Sequence, residues 1–232
     1  MKAILWDMDG TLVDSEPLWA IAIYELGEAM GKPLTEEVRL KTVGATTPAT
    51  VQICADYAGV TLTDEKRDEW VAWVFRRVSQ LLSQQLEFRP GIPEILRQAK
   101  EAGIGMALVT NTARTLTDVS LQSIGTEHFA FTLCGDEVAQ GKPAPDIYAE
   151  AVRRFGLTPD ECLVVEDSGA GMQAGLAAGC RVLGIPEQPS TQVPEGVKTL
   201  DEMRPGTRDL GQLNLFDLQE IYARLPEGLN RY

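Results

Sequence analysis

An α/β fold, with a Rossmann-like parallel sheet as its core and an inserted α-helical domain, is predicted by three observations. Short apolar runs end at polar residues, helical patterns lie between those runs, and a long strand-poor stretch separates the first run from the second. The chain has 232 residues, enough for one such core and a smaller domain. With 44% hydrophobic and 24% charged residues, a packed core can form.

KAILW (2–6) is the first run, and IGMALVT (104–110), FAFTLCG (129–135), ECLVVED (161–167) and RVLGI (181–185) complete a five-strand set. Helices are expected at about 91–102, 115–124, 145–155 and 169–178, the first following Pro90-Gly91 and the last stopped by Gly179. The order strand, helix, strand therefore repeats. From about 15 to 86 the pattern is helical, and DEKRDEWVAWVFRRVSQLLSQ (64–84) puts Trp70, Val71, Val74, Phe75, Val78, Leu81 and Leu82 on one face, as packing inside a small bundle requires. The division is thus 1–14 and 87–232 for the core, with 15–86 as the helical insertion. Beyond about 186 the chain is rich in Pro and Gly, with one closing helix expected at 216–225.

Charge and cysteine usage narrow the function. A formal charge of -13 repels nucleic acid and anionic membrane surfaces, so neither is expected as a partner. An anionic substrate is repelled too, and handling one requires a local positive centre such as a bound cation and a lysine. Cys54, Cys134, Cys162 and Cys180 lack zinc-site spacing and read as reduced core residues. The opening MKAILWDMDG is no signal peptide and no apolar run has the length of a membrane span, so a cytoplasmic protein is expected.

The sharpest chemical signal is Asp7-Met8-Asp9-Gly10-Thr11, directly after the first strand. Two carboxylates this close share a crevice if the backbone turns, which Gly10 permits. One acid, ionised beside a cation, can attack phosphorus, while the other protonates the leaving oxygen and later deprotonates water. Such a pair needs a counter-charge. Glu166-Asp167-Ser168, at another strand end, offers the hard oxygens that Mg²⁺ prefers, with Ser168 a good N-cap for the following helix. Lys142, in GKPAPD (141–146), precedes a helix with Pro145 in its first turn and can extend an ammonium into the crevice. Thr110 and Asn111 close the second strand and can donate hydrogen bonds to phosphate oxygens. All these residues fall at carboxyl ends of strands, where ligands sit in open parallel sheets. Gly169, Gly171 and Gly175 do not have dinucleotide-fingerprint spacing, which leaves a nucleotide-binding module as a remote alternative.

In order and spacing, DMDGT (7–11), VTN (109–111), GKPAPD (141–146) and VVEDS (164–168) resemble the four motifs of the haloacid dehalogenase superfamily, in its phosphoglycolate phosphatase and β-phosphoglucomutase-like branch. The resemblance covers residues 1 to about 186. It implies a phosphoric monoester hydrolase in which Asp7 forms an aspartyl-phosphate and Asp9 is the general acid and base. It further implies that Thr110 and Lys142 hold the phosphoryl group, and that Asp7, the Asp9 carbonyl, Glu166 and Asp167 hold Mg²⁺. The expected substrate is a small phosphorylated metabolite, handled by a monomer or weak dimer. True dehalogenases and phosphonatases of the superfamily typically lack the second acid, which is present here as Asp9. Mutases of the β-phosphoglucomutase type carry a histidine at the start of the cap, where this chain has Leu18 and Trp19, so hydrolysis is favoured and mutase chemistry is the alternative. His128, the sole histidine, lies outside the motifs. The cap is expected to be a hinged lid joined at 14–17 and 87–91, with Gly44 to Thr47 either a loop that selects substrate or a simple interhelix turn.

Overall fold

A computed structural model of the chain describes residues 1–42 and 45–228. Six strands form its sheet: β1 (Ala3–Trp6), β2 (Gly105–Thr110), β3 (Phe131–Cys134), β4 (Cys162–Glu166), β5 (Arg181–Gly184) and β6 (Lys198–Thr199). Their order is β3-β2-β1-β4-β5-β6, and every neighbouring pair is parallel. All residues of β1 and β4 are buried, which explains why the central strands read as apolar runs rather than alternating ones. In register, Trp6 lies between Leu108 and Val165, so the chain leaves β1 beside the ends of β2 and β4.

The insertion carries α1 (Glu16–Ala29), α2 (Glu36–Leu40), α3 (Thr47–Ala58) and α4 (Asp64–Gln85). The core carries α5 (Ile92–Glu101), α6 (Arg114–Ile124), α7 (Asp146–Phe155), α8 (Gly169–Ala177), α9 (Leu200–Met203) and α10 (Leu215–Arg224). The chain separates into two compact units, Met1–Asp14 with Glu87–Tyr232, and Ser15–Leu86. In the helical unit Val74, Val78, Leu81 and Leu82 of α4 are buried, and α4 packs on α1 and α3. Trp70 and Phe75 are partly buried on the same stripe, as bundle packing demands.

Two features depart from the sequence-based expectation. The sheet gains a sixth strand, because Lys198 and Thr199 pair with Leu183 and Gly184. Two residues are too few to carry a periodic signal. Of the loop expected at 44–47, Gly44 lies outside the described residues, while Thr46 caps α3 by accepting from the Ala49 N–H and Thr47 already begins that helix. Within the core unit, the two segments leading to the insertion run side by side, with Val13 bridged antiparallel to Phe88 and the Arg89 N–H bonded to the Leu12 carbonyl at 2.8 Å. Among the described residues no helix is long and apolar enough to cross a membrane.

All four cysteines are buried and unpaired with one another. Burial pushes the thiols of Cys54 and Cys134 up to about 11 and that of Cys162 up to about 12. The folded protein should therefore resist a thiol reagent such as dithionitrobenzoate at pH 8, and titrate four thiols once unfolded in guanidinium. Rapid labelling of any cysteine in the native protein would contradict this burial.

Candidate active site

The strand order reverses between β1 and β4, and that switch point collects the chemistry. Asp7 follows β1, Thr110 ends β2, and Glu166 ends β4. Asp7 is fixed there by its backbone N–H, which donates to the Val165 carbonyl at 3.1 Å. The next residues fold back on themselves, with the N–H groups of Leu12 and Val13 both donating to the Met8 carbonyl. Gly10 makes this turn possible in two ways. Its φ of 83° suits glycine, and a Cβ there would lie 2.3 Å from an Asp167 carboxylate oxygen.

Asp7, Asp9, Thr110, Asn111, Lys142 and Asp167 line one cavity of about 210 Å³, together with Thr112 and Ser168. Glu166 does not line it and is fully buried behind it. The centre of the arrangement is the Lys142 ammonium, whose three hydrogens are matched by three acceptors: Asp7 Oδ1 at 2.6 Å, Glu166 Oε1 at 2.6 Å and the Val109 carbonyl at 2.8 Å. Burial alone would lower the lysine's proton affinity. The charges of Asp7 and Glu166 outweigh it and hold the ammonium above its usual range.

Each neighbouring acid has its own support. Thr112 Oγ1 donates to Asp9 Oδ2 at 2.6 Å, and Thr11 Oγ1 donates to Asp167 Oδ1 at 3.3 Å. Glu166 Oε2 accepts from both the backbone N–H and the hydroxyl of Ser168, while Tyr148 donates to Glu166 Oε1 at 2.8 Å. Asn111, on the cavity wall, also grips the lysine from behind. Its carboxamide donates to the Lys142 carbonyl at 2.9 Å and accepts from the Lys142 N–H at 2.8 Å, so it pins the lysine's backbone across 31 residues. That leaves the carboxamide largely committed within the protein. From sequence no role falls to Thr112, Thr11 or Tyr148, although Thr11 closes the DMDGT motif, Thr112 follows VTN, and Tyr148 falls on the buried face of α7 with Ile147, Ala151 and Val152. A buried tyrosine hydroxyl needs a partner, and that was the available signal.

The carboxylates of Asp7, Glu166 and Asp167 bring one oxygen each within 4.8 Å of one another. Burial, reinforced by the charge of Glu166, raises Asp7 well above the usual carboxylate range and Asp167 to about 7. Fully ionised, three acids facing one ammonium would leave two charges unbalanced. Hard oxygen donors, crowded and short of positive charge, fit Mg²⁺. An acid whose proton is held more tightly in the folded chain contributes stability at low pH and loses it as pH rises toward the folded value. For Asp167 this window runs from about 4 to about 7. In metal-free protein, Asp167→Asn should raise the thermal midpoint at pH 8 and change it little at pH 4. Millimolar Mg²⁺ should raise the wild-type midpoint more at pH 8 than at pH 5, measured by calorimetry, with that gain lost in the variant.

Comparison with known proteins agrees with this geometry. The family model described as haloacid dehalogenase-like hydrolase matches residues 1–179. A phosphorylated carbohydrates phosphatase of Thermotoga maritima is 30% identical over 187 residues, spanning 80% of this chain and 85% of that protein. Hexitol phosphatase A of Escherichia coli is 32% identical over 187 residues, spanning 79% and 82%. Among solved structures, CbbY from Rhodobacter sphaeroides in complex with phosphate superposes with a TM-score of 0.78 at 26% identity, covering 94% of this chain and 99% of that one.

Proposed function

The chain belongs to the haloacid dehalogenase-like hydrolases and is a phosphoric monoester hydrolase, and on that footing we propose that it hydrolyses phosphorylated sugars or sugar alcohols with Asp7 as nucleophile. The observation that carries this reading is the Lys142 ammonium on Asp7, beside a second acid, Asp9, held at the rim of the same cavity. The substrate class follows the named relatives, a phosphorylated carbohydrates phosphatase and a hexitol phosphatase.

In the first half-reaction an Asp7 carboxylate oxygen attacks phosphorus and the bond to the ester oxygen breaks. Asp9, as the acid, gives its proton to the departing alkoxide. In the second, Asp9 takes a proton from water as the water oxygen attacks phosphorus. The bond to Asp7 breaks, releasing phosphate and restoring both side chains. Thr112 keeps the Asp9 carboxyl turned into the cavity for both transfers. Thr110 and Lys142 are positioned to hold phosphoryl oxygens, which in phosphoryl transfer matters more than elaborate covalent machinery. Mg²⁺, held by Asp7, Asp167 and the Asp9 carbonyl, with Glu166 the further candidate, would neutralise charge on the phosphoryl oxygens. Leu18 and Trp19, where mutases of this branch carry histidine, support hydrolysis over transfer to a second sugar hydroxyl. Residues 15–86 are the cap in this reading, and the selection of substrate resides there.

Asp7→Asn should abolish Mg²⁺-dependent turnover while leaving the fold intact by circular dichroism. Asp9→Asn should lower kcat by roughly two orders of magnitude or more yet keep Mg²⁺ affinity, because the backbone carbonyl is unchanged. Equal loss of metal affinity in both variants would refute the division of labour. A panel of hexose, pentose and hexitol phosphates with Mg²⁺, read by phosphate release, should show selectivity above that for an aryl phosphate. Exclusive isomerisation of a sugar phosphate, without phosphate release, would overturn the hydrolytic reading.

A further inference from the structure

Thr112 stands on the cavity wall with its hydroxyl, N–H and carbonyl all engaged. The hydroxyl donates to Asp9 Oδ2 at 2.6 Å, the N–H donates to Thr110 Oγ1 at 3.0 Å, and the carbonyl accepts from the Thr117 hydroxyl at 3.3 Å. Thr117 belongs to the first turn of α6 and is fully buried, so the last of these bonds ties Thr112 to a helix that packs on β3. A β-branched side chain whose backbone is held on both sides has little freedom at χ1. The hydroxyl is therefore delivered to one place.

Two consequences concern the reaction. Thr110, as the acceptor toward Thr112, keeps its own hydrogen to give to a phosphoryl oxygen. A proton on Asp9 Oδ2 would face the hydrogen that Thr112 gives that oxygen, so the proton that Asp9 transfers is carried on Oδ1. One threonine thus fixes the group that grips phosphorus relative to the acid that serves the leaving oxygen. Leaving groups differ in how far they need that acid. The alkoxide of a sugar or sugar alcohol is strongly basic and has to be protonated as its bond to phosphorus breaks, whereas a nitrophenolate departs as the anion. A misdirected Asp9 proton handicaps the first far more than the second.

We propose that Thr112 is a specificity-determining positioning residue: by holding Asp9 Oδ2 it aims the acid's proton at the ester oxygen, and so makes alkyl phosphates, the esters of poor leaving groups, productive substrates. The proposal rests on the reading of Asp9 as the general acid. In the step concerned the bond from Asp7 to phosphorus forms, the bond from phosphorus to the ester oxygen breaks, and the proton passes from Asp9 Oδ1 to that oxygen. With a nitrophenyl ester the same bonds form and break, but the proton stays on Asp9, which releases it to solvent before the second half-reaction.

The test uses the full chain with Mg²⁺ and compares a hexitol phosphate with p-nitrophenyl phosphate through kcat/KM, which reports the steps up to cleavage of the ester bond. Thr112→Val keeps the shape and removes the donor, and should lower kcat/KM for the hexitol phosphate at least about tenfold more than for p-nitrophenyl phosphate. Thr112→Ser, which keeps the hydroxyl, should hold the ratio of the two within about threefold of wild type. In an Asp9→Asn background Thr112→Val should move that ratio by less than about twofold, because the proton it aims is gone. An equal fall on both esters, a full effect in the Asp9→Asn background, or a wild type that hydrolyses only the aryl ester would overturn the proposal. Should Thr112→Val not fold by circular dichroism, Thr112→Ala against Thr112→Ser decides by the same ratio. The underlying reading fails separately: if Asp9→Asn lowers both esters equally, Asp9 is not the acid and both ideas fall, whereas an ester-selective loss in Asp9→Asn with none in Thr112→Val sinks only the role of Thr112.

Discussion

One buried ammonium holds this site together. Lys142 stands between Asp7 and Glu166 at 2.6 Å from each, and all three side chains are withdrawn from water. Taking charges out of water is costly, and a buried ion pair seldom repays that cost in net stability. Removing one partner is worse, at about 3–5 kcal/mol, because an uncompensated charge remains. The lysine is therefore required by the acids around it, and its presence is better understood through what it prepares than through the stability it adds. It keeps a buried carboxylate ready beside a place where an anion can sit, in a chain whose formal charge is -13. The local charge that the whole molecule lacks is concentrated at that point.

Around the ammonium, hydroxyl groups orient three of the four acids. Thr112 holds Asp9, Thr11 holds Asp167, and Ser168 and Tyr148 hold Glu166. Among the described residues no hydroxyl donates to Asp7, whose carboxylate is engaged by Lys142. Glu166 accepts from four donors and does not line the cavity, whereas Asp7, Asp9 and Asp167 do.

The fold supplies these alignments cheaply. Parallel strands end at the same edge of the sheet, so three strand ends and one preceding turn deliver acids and hydroxyls to a single crevice without long, ordered loops. Lys142 comes from outside the strands and is fastened twice, through its ammonium and through the Asn111 carboxamide that grips its backbone. A flexible four-carbon stem would otherwise leave the charge free to wander.

Much of this was legible in the sequence because the deciding features are local. Five apolar runs, the helical stretch between the first and second, the Gly10 turn and the Ser168 cap each depend on neighbours a few residues away. The residues of the cavity wall, Asp7, Asp9, Thr110, Lys142 and Asp167, were readable for the same reason, since each stands at a strand end or helix start. Strand β6 was not readable, having only two residues and no period. The hydroxyl partners depended on tertiary structure entirely: Thr112 meets Asp9 across 103 positions, Thr11 meets Asp167 across 156, and Tyr148 reaches Glu166 from another element. The Asn111 grip on the Lys142 backbone was hidden for that reason also, because its partner lies 31 positions away. Sequence by itself determined which acids, which lysine and which turn the protein has. Tertiary structure decided which oxygen each donor serves, because that depends on distances set by packing, to which a linear pattern is blind.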